Sequence, residues 1–260
     1  IHNFHNFASP YRLGFGFIEK FLDKKLINST NSFVSVSRVC ASSLVSRGSI
    51  WNEANIKHIY NGISDKAIKH DFNLRKEFNI GSSPLCLMLG TYEERKGHEF
   101  IFRVFEKVFK KIPNAYLVIC GGGTENEYNI VQKLKDKIVP SQNVILMDFI
   151  PNGANLISQS DLLLIGAQSY ESFGYTAVEA MIREIPVVST NTGGLVEVIK
   201  DNQGGFIFNK DDYDGFSDKV LRLLTNKEYR IEIGKKGGER ANSLFLSNRM
   251  SKEYFNLLND

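Results

Sequence analysis

Two acidic residues eight positions apart suggest a chemistry. Glu171 and Glu179 bracket Ser-Phe-Gly-Tyr-Thr-Ala-Val, which puts one carboxylate in a loop after an apolar run and the other about a turn into the next helix. A loop carboxylate can accept hydrogen bonds from two hydroxyls of a sugar, and a helix carboxylate can take a vicinal diol such as that of ribose. Helix-terminal capping for Glu171 and a solvated face for Glu179 would account for the same residues. Lys96 ends the charged stretch Tyr92-Glu-Glu-Arg-Lys96, where a cation could neutralise phosphate oxygens as a leaving group departs. The same stretch could also be only a solvated turn. Asn191-Thr-Gly-Gly194 lies between an apolar run and a short helix, so its free N–H groups could hold a diphosphate. Gly121-Gly-Gly123 could approach a phosphate or be a plain tight turn. His2 and His5 stand beside Asn at what reads as a strand end, placed to bond a sugar or a carbonyl, or simply packed. His58, His70 and His98 show no partner and read as structural.

These residues need a scaffold, and from residue 84 the chain supplies one. Apolar runs at 84–90, 115–120, 143–147, 161–165, 186–189 and 205–208 alternate with helical patterns at 98–110, 127–138, 154–159, 175–182 and 195–199. Near-continuous apolar strands imply burial on both faces, hence an α/β fold: a Rossmann-like parallel sheet between helices, joined by right-handed crossovers. Ligands of such sheets bind at the carboxyl ends of the strands, where Glu171 falls. Helices at 213–224, 227–241 and 248–258 close the chain. The first 80 residues offer only two clear strands, 32–36 and 57–60, too few for a two-sided layer. Turn dipeptides and a short charged helix near 74–78 make 61–83 a linker.

Composition sets outer limits. With 260 residues, 42% hydrophobic and 23% charged, the chain can build a core and is not a disordered tract. A net charge of +3 without a concentrated basic patch argues against a nucleic-acid partner. Cys40, Cys86 and Cys120 are far apart and form no metal-ligand pattern, which fits a reducing, cytoplasmic setting and no metal. The apolar runs are strand-sized, well short of the ~20 residues of a membrane span. The stretch 13–26 is apolar with a basic edge; core packing is favoured over contact with lipid head groups, since its glycines weaken the helix and its charges are mixed. Ile1 begins the sequence without Met or a leader pattern, so the expectation is a chain cut from something longer.

Residues 90–97, Gly121-Gly-Gly123, Glu171-Ser-Phe-Gly-Tyr-Thr-Ala-Val-Glu-Ala-Met181, Pro186-Val-Val-Ser189 and Thr192-Gly-Gly-Leu-Val-Glu197 together resemble family 4 of the retaining nucleotide-sugar glycosyltransferases, of GT-B fold. The resemblance runs from 84 to the end and more weakly over 33–63. It implies transfer of a sugar, with retention, from a UDP- or GDP-sugar to a saccharide or lipid-linked hydroxyl acceptor in cell-surface polysaccharide or glycolipid synthesis. It implies no cofactor besides that donor, and leaves open a peripheral contact at the inner face of the membrane. Glu171 would hold the sugar hydroxyls, Phe173 and Gly174 would offer backbone groups near the sugar, and Glu179 would bind ribose. Thr192, Gly193 and Gly194 would line the site near the diphosphate, with Gly122 alongside. Lys96 would be the diphosphate lysine. The family's companion arginine is replaced by Thr91, with Arg95 a substitute, and Phe149 and Ile150 would line the base pocket. The active-site histidine would be His2, with His5 second. The implied division is 1–80 as a partial amino-terminal, acceptor-side domain and linker, 81–247 as the donor-binding domain and 248–260 as a returning helix. An epimerase, a phosphorylase or a silent donor-binding subunit are the alternatives.

Overall fold

The computed structural model of the protein describes residues 1–5, 8, 15–53, 56–64, 72–139 and 141–259. The amino-terminal unit contains β1 (His2–Phe4), α1 (Gly16–Asn28), β2 (Phe33–Ser35), α2 (Arg38–Arg47) and β3 (Ile56–His58). Its strands pair in parallel in the order β1-β2-β3. Strand β1 matches the strand end read beside His2 and His5, though three residues are too few to show alternation. Phe33, Leu44 and Trp51 form the buried cluster of this unit. Trp51 meets Phe33 edge-on at 5.4 Å and Phe4 at 5.6 Å.

Helix α1 packs into the core at one end only, where Leu26 and Ile27 rest against the Phe33, Leu44 and Trp51 cluster. None of its residues is fully buried; Phe17 is 72% exposed, and Phe21 and Leu22 are also exposed. The acidic side chains turn inward instead: Asp23 accepts from Trp51 Nε1 at 3.1 Å and pairs with Arg47 at 3.0 Å. Residues 13 and 14 lie outside the described residues, as does His70.

The stretch 72–83, read as a linker, is fastened to the larger unit. Helix α3 (Leu74–Glu77) buries Leu74 and is held by Gln159, which accepts from Leu74 N at 2.7 Å and donates to Phe72 O at 2.9 Å. The Arg75 guanidinium donates to Gly81 O, Ser83 O and Asp161. Asp161 also accepts from Leu85 N at 2.8 Å. Residues 65–71 are outside the described residues.

The larger unit continues with β4 (Leu85–Leu89), α4 (His98–Lys111), β5 (Tyr116–Cys120), α5 (Glu125–Ile138), β6 (Val144–Met147) and β7 (Leu162–Ile165). It is completed by α6 (Tyr175–Met181), β8 (Val187–Thr190), α7 (Leu195–Val198), β9 (Lys200–Asp201), β10 (Gly204–Phe208), α8 (Tyr213–Thr225) and α9 (Lys227–Leu244); α10 (Ser247–Asn259) then donates from Arg249 to Tyr60 O and from the Tyr254 hydroxyl to Asn3 Oδ1. The two-residue strand β9 was not legible in the sequence. Helix α5 starts at Glu125, ahead of the expected 127, because Thr124 and Glu127 close a capping box. The sheet is parallel, in the order β6-β5-β4-β7-β8-β10-β9. Burial on both faces explains the apolar strands: Phe102, Phe105 and Val108 of α4 cover one face, and Ala177, Val178 and Met181 of α6 cover the other. The chain runs outward from β4 to β5 and β6, then restarts at β7 and runs the other way. This reversal opens a crevice between the loops that follow β4 and β7. The protein is thus two Rossmann-like α/β units with parallel sheets.

Candidate functional site

The loops at the reversal bring together residues far apart in the chain. Lys96, from the turn before α4, places Nζ 3.2 Å from Glu171 Oε2 in the loop after β7. The Lys96 stem lies over Gly90; a Cβ added there would sit 3.5 Å from Lys96 Cδ. Gly97 permits this turn with φ 73°, and a Cβ at that position would fall 1.9 Å from Gly166 O. On the other side, Gly194 N donates to Glu171 O at 2.7 Å. Gly193 has φ 53°, and a Cβ there would be 2.1 Å from Glu171 O. Only glycine lets the loop after β8 seat against the loop after β7. The result is a cation, a carboxylate and a bare backbone loop at one edge of the sheet, suited to an anion and a polyhydroxyl group together.

Other expected residues occupy this edge in different ways. Thr192 is buried and donates its hydroxyl to Ala167 O at 2.7 Å, so only its backbone is left for a ligand. Phe173 is buried, with its ring 5.7 Å from Phe245, and Gly174 caps α6. Thr91 donates to Glu93 Oε1 at 2.9 Å, and Arg95 pairs with the same carboxylate while lying 5.1 Å from the Tyr170 ring centre. The Arg95 and Thr91 bonds hold the Glu93 carboxyl below its ordinary range. The cation that could replace the missing arginine is therefore engaged with Glu93 in this structure.

Toward β6, Gly122 abuts Phe149, since a Cβ on Gly122 would lie 3.6 Å from Phe149 Cβ. Phe149 is exposed and Ile150 half-buried. Glu179 is half-buried in α6; burial raises its carboxyl above the ordinary range, with Arg183 opposing. Arg183 donates to Glu179 O at 2.8 Å and to Asn155 Oδ1 at 2.9 Å.

His2 is not brought to this edge. Its ring packs 4.8 Å from Phe4 and 6.1 Å from Phe33, and with residues 29–32 it lines a cavity of about 730 Å³ at the amino end of the small sheet. Ligand edges lie at the opposite end of parallel strands. His5, the second choice, follows the carboxyl end of β1. His98 is buried with neither ring nitrogen hydrogen-bonded; burial, assisted by Lys96, depresses its pKa to about 4. Its Tyr92 neighbour lies at 5.5 Å. Sequence reasoning gave no role to Ser37, Tyr60 or the Glu197 side chain, which meet beside the Glu171 loop; Glu197 ends the Gly-Gly-x-x-Glu pattern, and Ser37 and Tyr60 fall within the weaker resemblance over 33–63. Among the described residues no cluster of His, Cys, Asp and Glu is placed to hold a metal ion.

The chain is similar to known proteins in sequence and in fold. The chain is 27% identical over 203 residues to N-acetyl-alpha-D-glucosaminyl L-malate synthase of Bacillus anthracis, covering 77% of this chain and 52% of that protein. It is 24% identical over 171 residues to the capsular polysaccharide biosynthesis glycosyltransferase CapM of Staphylococcus aureus, covering 66% of this chain and 44% of that one. The chain thus spans about half the length of the curated relatives it matches. Among solved structures it superposes on Anabaena HepE in complex with UDP and glucose, with TM-score 0.86 at 15% identity, over 100% of this chain and 71% of that one. The fold is GT-B. The resemblance to family 4 is corrected by the family model that matches, that of the glycosyl transferases group 1, over residues 70–240. The Glu-x7-Glu and Gly-Gly patterns do not by themselves fix the finer family. More than half of the chain matches that model, and the protein belongs to the glycosyl transferases group 1 family.

Proposed function

We propose that the whole protein transfers a sugar from a nucleoside-diphosphate sugar, a UDP- or GDP-sugar, to a hydroxyl of a saccharide or lipid-linked acceptor. The observation that carries this reading is the Lys96–Glu171 pair set against the Gly193–Gly194 backbone at the sheet's reversal point. On donor binding Lys96 would exchange its carboxylate partner for diphosphate oxygens and stabilise the departing charge. Glu171 would then be released to fix two sugar hydroxyls, while the Gly193–Gly194 backbone would approach the diphosphate without side chains in the way. Glu179 would take the ribose diol, and Phe149, Ile150 and Gly122 would border the base. Thr91 and Arg95 would shape the turn that presents Lys96. Residues 81–247 would form the donor-binding domain and 1–80 the acceptor side, with His5 facing the sugar from the end of β1 and 248–260 returning to the amino-terminal unit.

The Bacillus anthracis relative has an α-configured product in its name, and the complex of Anabaena HepE holds UDP and glucose. The second supports a nucleotide-sugar donor and the first an α product, which from an α-linked donor would be retention. The capsular relative supports work on cell-surface polysaccharide or glycolipid. No described helix is long and apolar enough to cross a membrane. Buried cysteine thiols support a cytoplasmic setting, and the outward Phe17 and Phe21 beside Lys24 and Lys25 support peripheral contact with its membrane, which vesicle co-sedimentation would test. Incubating the whole protein with a panel of UDP- and GDP-sugars and following diphosphate release tests the function. Release with at least one donor, and product NMR showing the donor's anomeric configuration, is expected. No release with any donor, with or without saccharide or lipid-linked acceptors, would remove the proposal.

A further inference from the structure

Ser37, Tyr60 and Glu197 take no part in the donor contacts proposed above, yet they converge where the amino-terminal unit meets the Glu171 loop. One oxygen of Glu197 accepts from Arg38 N at 3.0 Å and from the Tyr60 hydroxyl at 3.0 Å; the other accepts from Val39 N at 2.9 Å. Arg38 and Val39 open α2, so a carboxylate of the larger unit closes the positive end of a helix in the smaller one. The cap of that helix makes a second link. Ser37 accepts from Cys40 N and donates its hydroxyl to Ser172 O at 2.8 Å.

Ser172 directly follows Glu171. The next residue, Phe173, is held in an aromatic group with Tyr60 at 6.3 Å and Phe245 at 5.7 Å, and Tyr60 meets Phe245 at 5.6 Å. Tyr60 thus touches the loop with its ring and Glu197 with its hydroxyl. Behind Glu197, Arg240 donates to Glu197 O at 2.7 Å and to Val198 O at 2.9 Å, which fixes the end of α7. Glu171's own carbonyl is taken by Gly194 N. The loop is therefore gripped at three consecutive residues, two of them from the amino-terminal unit.

We infer that Ser37, Tyr60 and Glu197 form a latch between the two units that positions the 171–173 loop, and through it the Glu171 carboxylate, for sugar transfer. They are positioning residues; the catalytic part of the inference rests on the proposed function, and the mechanical part does not. The test is amide hydrogen exchange on the whole protein and its Ser37→Ala, Ser37→Thr and Tyr60→Phe variants, with turnover and UDP and GDP affinity measured alongside. Ser37→Ala and Tyr60→Phe should speed exchange at Gly194, whose amide is bonded to Glu171 O and touched by neither changed group, by at least about fivefold. Turnover should fall about tenfold while nucleotide affinity stays within about twofold, because the proposed nucleotide contacts lie in the larger unit. Ser37→Thr keeps the hydroxyl and should restore both. Unchanged Gly194 exchange, with faster exchange confined to Cys40 and its helix, would overturn the latch. Faster Gly194 exchange with undiminished turnover would overturn its role in transfer. If the unaltered protein binds neither nucleotide and turns over no donor, the donor reading fails, and the exchange result still decides whether the latch exists.

Discussion

The large sheet is closed on both faces, by Phe102 and Phe105 of α4 on one side and Val178 and Met181 of α6 on the other, whereas the small sheet rests on Phe33, Leu44 and Trp51 and leaves Phe17, Phe21 and Leu22 outside. Both are parallel βα layers. The difference is that the large unit has extensive buried clusters on both faces of its sheet, while the small one has a cluster of three buried residues and contacts across the boundary, among them Ser37–Ser172 and Glu197 with the start of α2. A binding edge built on the first unit can be rigid, and an edge completed by the second can move relative to it.

The largest effect expected from this contrast is in the core of the large unit. Phe105→Ala should cost about 4 kcal/mol of its stability, read by urea unfolding followed by circular dichroism. Trp51 is the only tryptophan and reports the small unit, so its fluorescence should change at lower urea than the circular dichroism of the unaltered protein. Coincident transitions would break the comparison, since they would make the two units one cooperative body.

His98 sharpens the same contrast through pH. Its pKa is about 4 in the folded protein and near the ordinary ~6.5 when unfolded. Stability from the neutral ring is therefore complete above the unfolded value and lost as pH falls from there toward 4, in all about 3 kcal/mol. His98→Gln should lack that portion of the pH dependence of the circular-dichroism transition; an identical profile would show that the ring is not buried neutral.

At the binding edge, Glu171→Gln should lower transfer at least ~100-fold, or about 2.7 kcal/mol of transition-state stabilisation, with an unchanged urea midpoint. A loss of folding in step with activity would make Glu171 a structural residue. The smallest effect is expected on α1, where Phe17→Ser should change stability by less than ~0.5 kcal/mol; a larger loss would mean that the exposed face is packed after all.

The legible parts of the fold were those with long periodic signals. Strands β4, β5, β7 and β8 appear as unbroken apolar runs because both faces of the sheet are buried. Strands β1 and β9, of three and two residues, carry no period. Helix α1 was legible only in part: Leu26 and Ile27 pack inward, while the exposure of Phe17 and Phe21 follows from the turning of Asp23 toward Arg47 and Trp51, partners 24 and 28 residues away. In the site, Lys96 and Glu171 were recognisable as residue types in their loops, but their 3.2 Å pairing across 75 residues follows from the strand order, which local pattern does not encode. The same limit hid Ser37 and Tyr60, whose partners are 135 and 137 residues distant. His2 begins the three-residue strand β1 and His5 follows it, bounds that so short a strand does not show in the sequence pattern.

The central claim is that the loops around the sheet's reversal hold a nucleoside diphosphate through Lys96. Calorimetric titration of the whole protein and of Lys96→Ala with UDP and with GDP tests it most directly. Saturable binding of at least one diphosphate to a single site, weakened at least tenfold by Lys96→Ala (about 1.4 kcal/mol or more), is the predicted result. Binding of neither diphosphate, or equal binding to the two proteins, would contradict it.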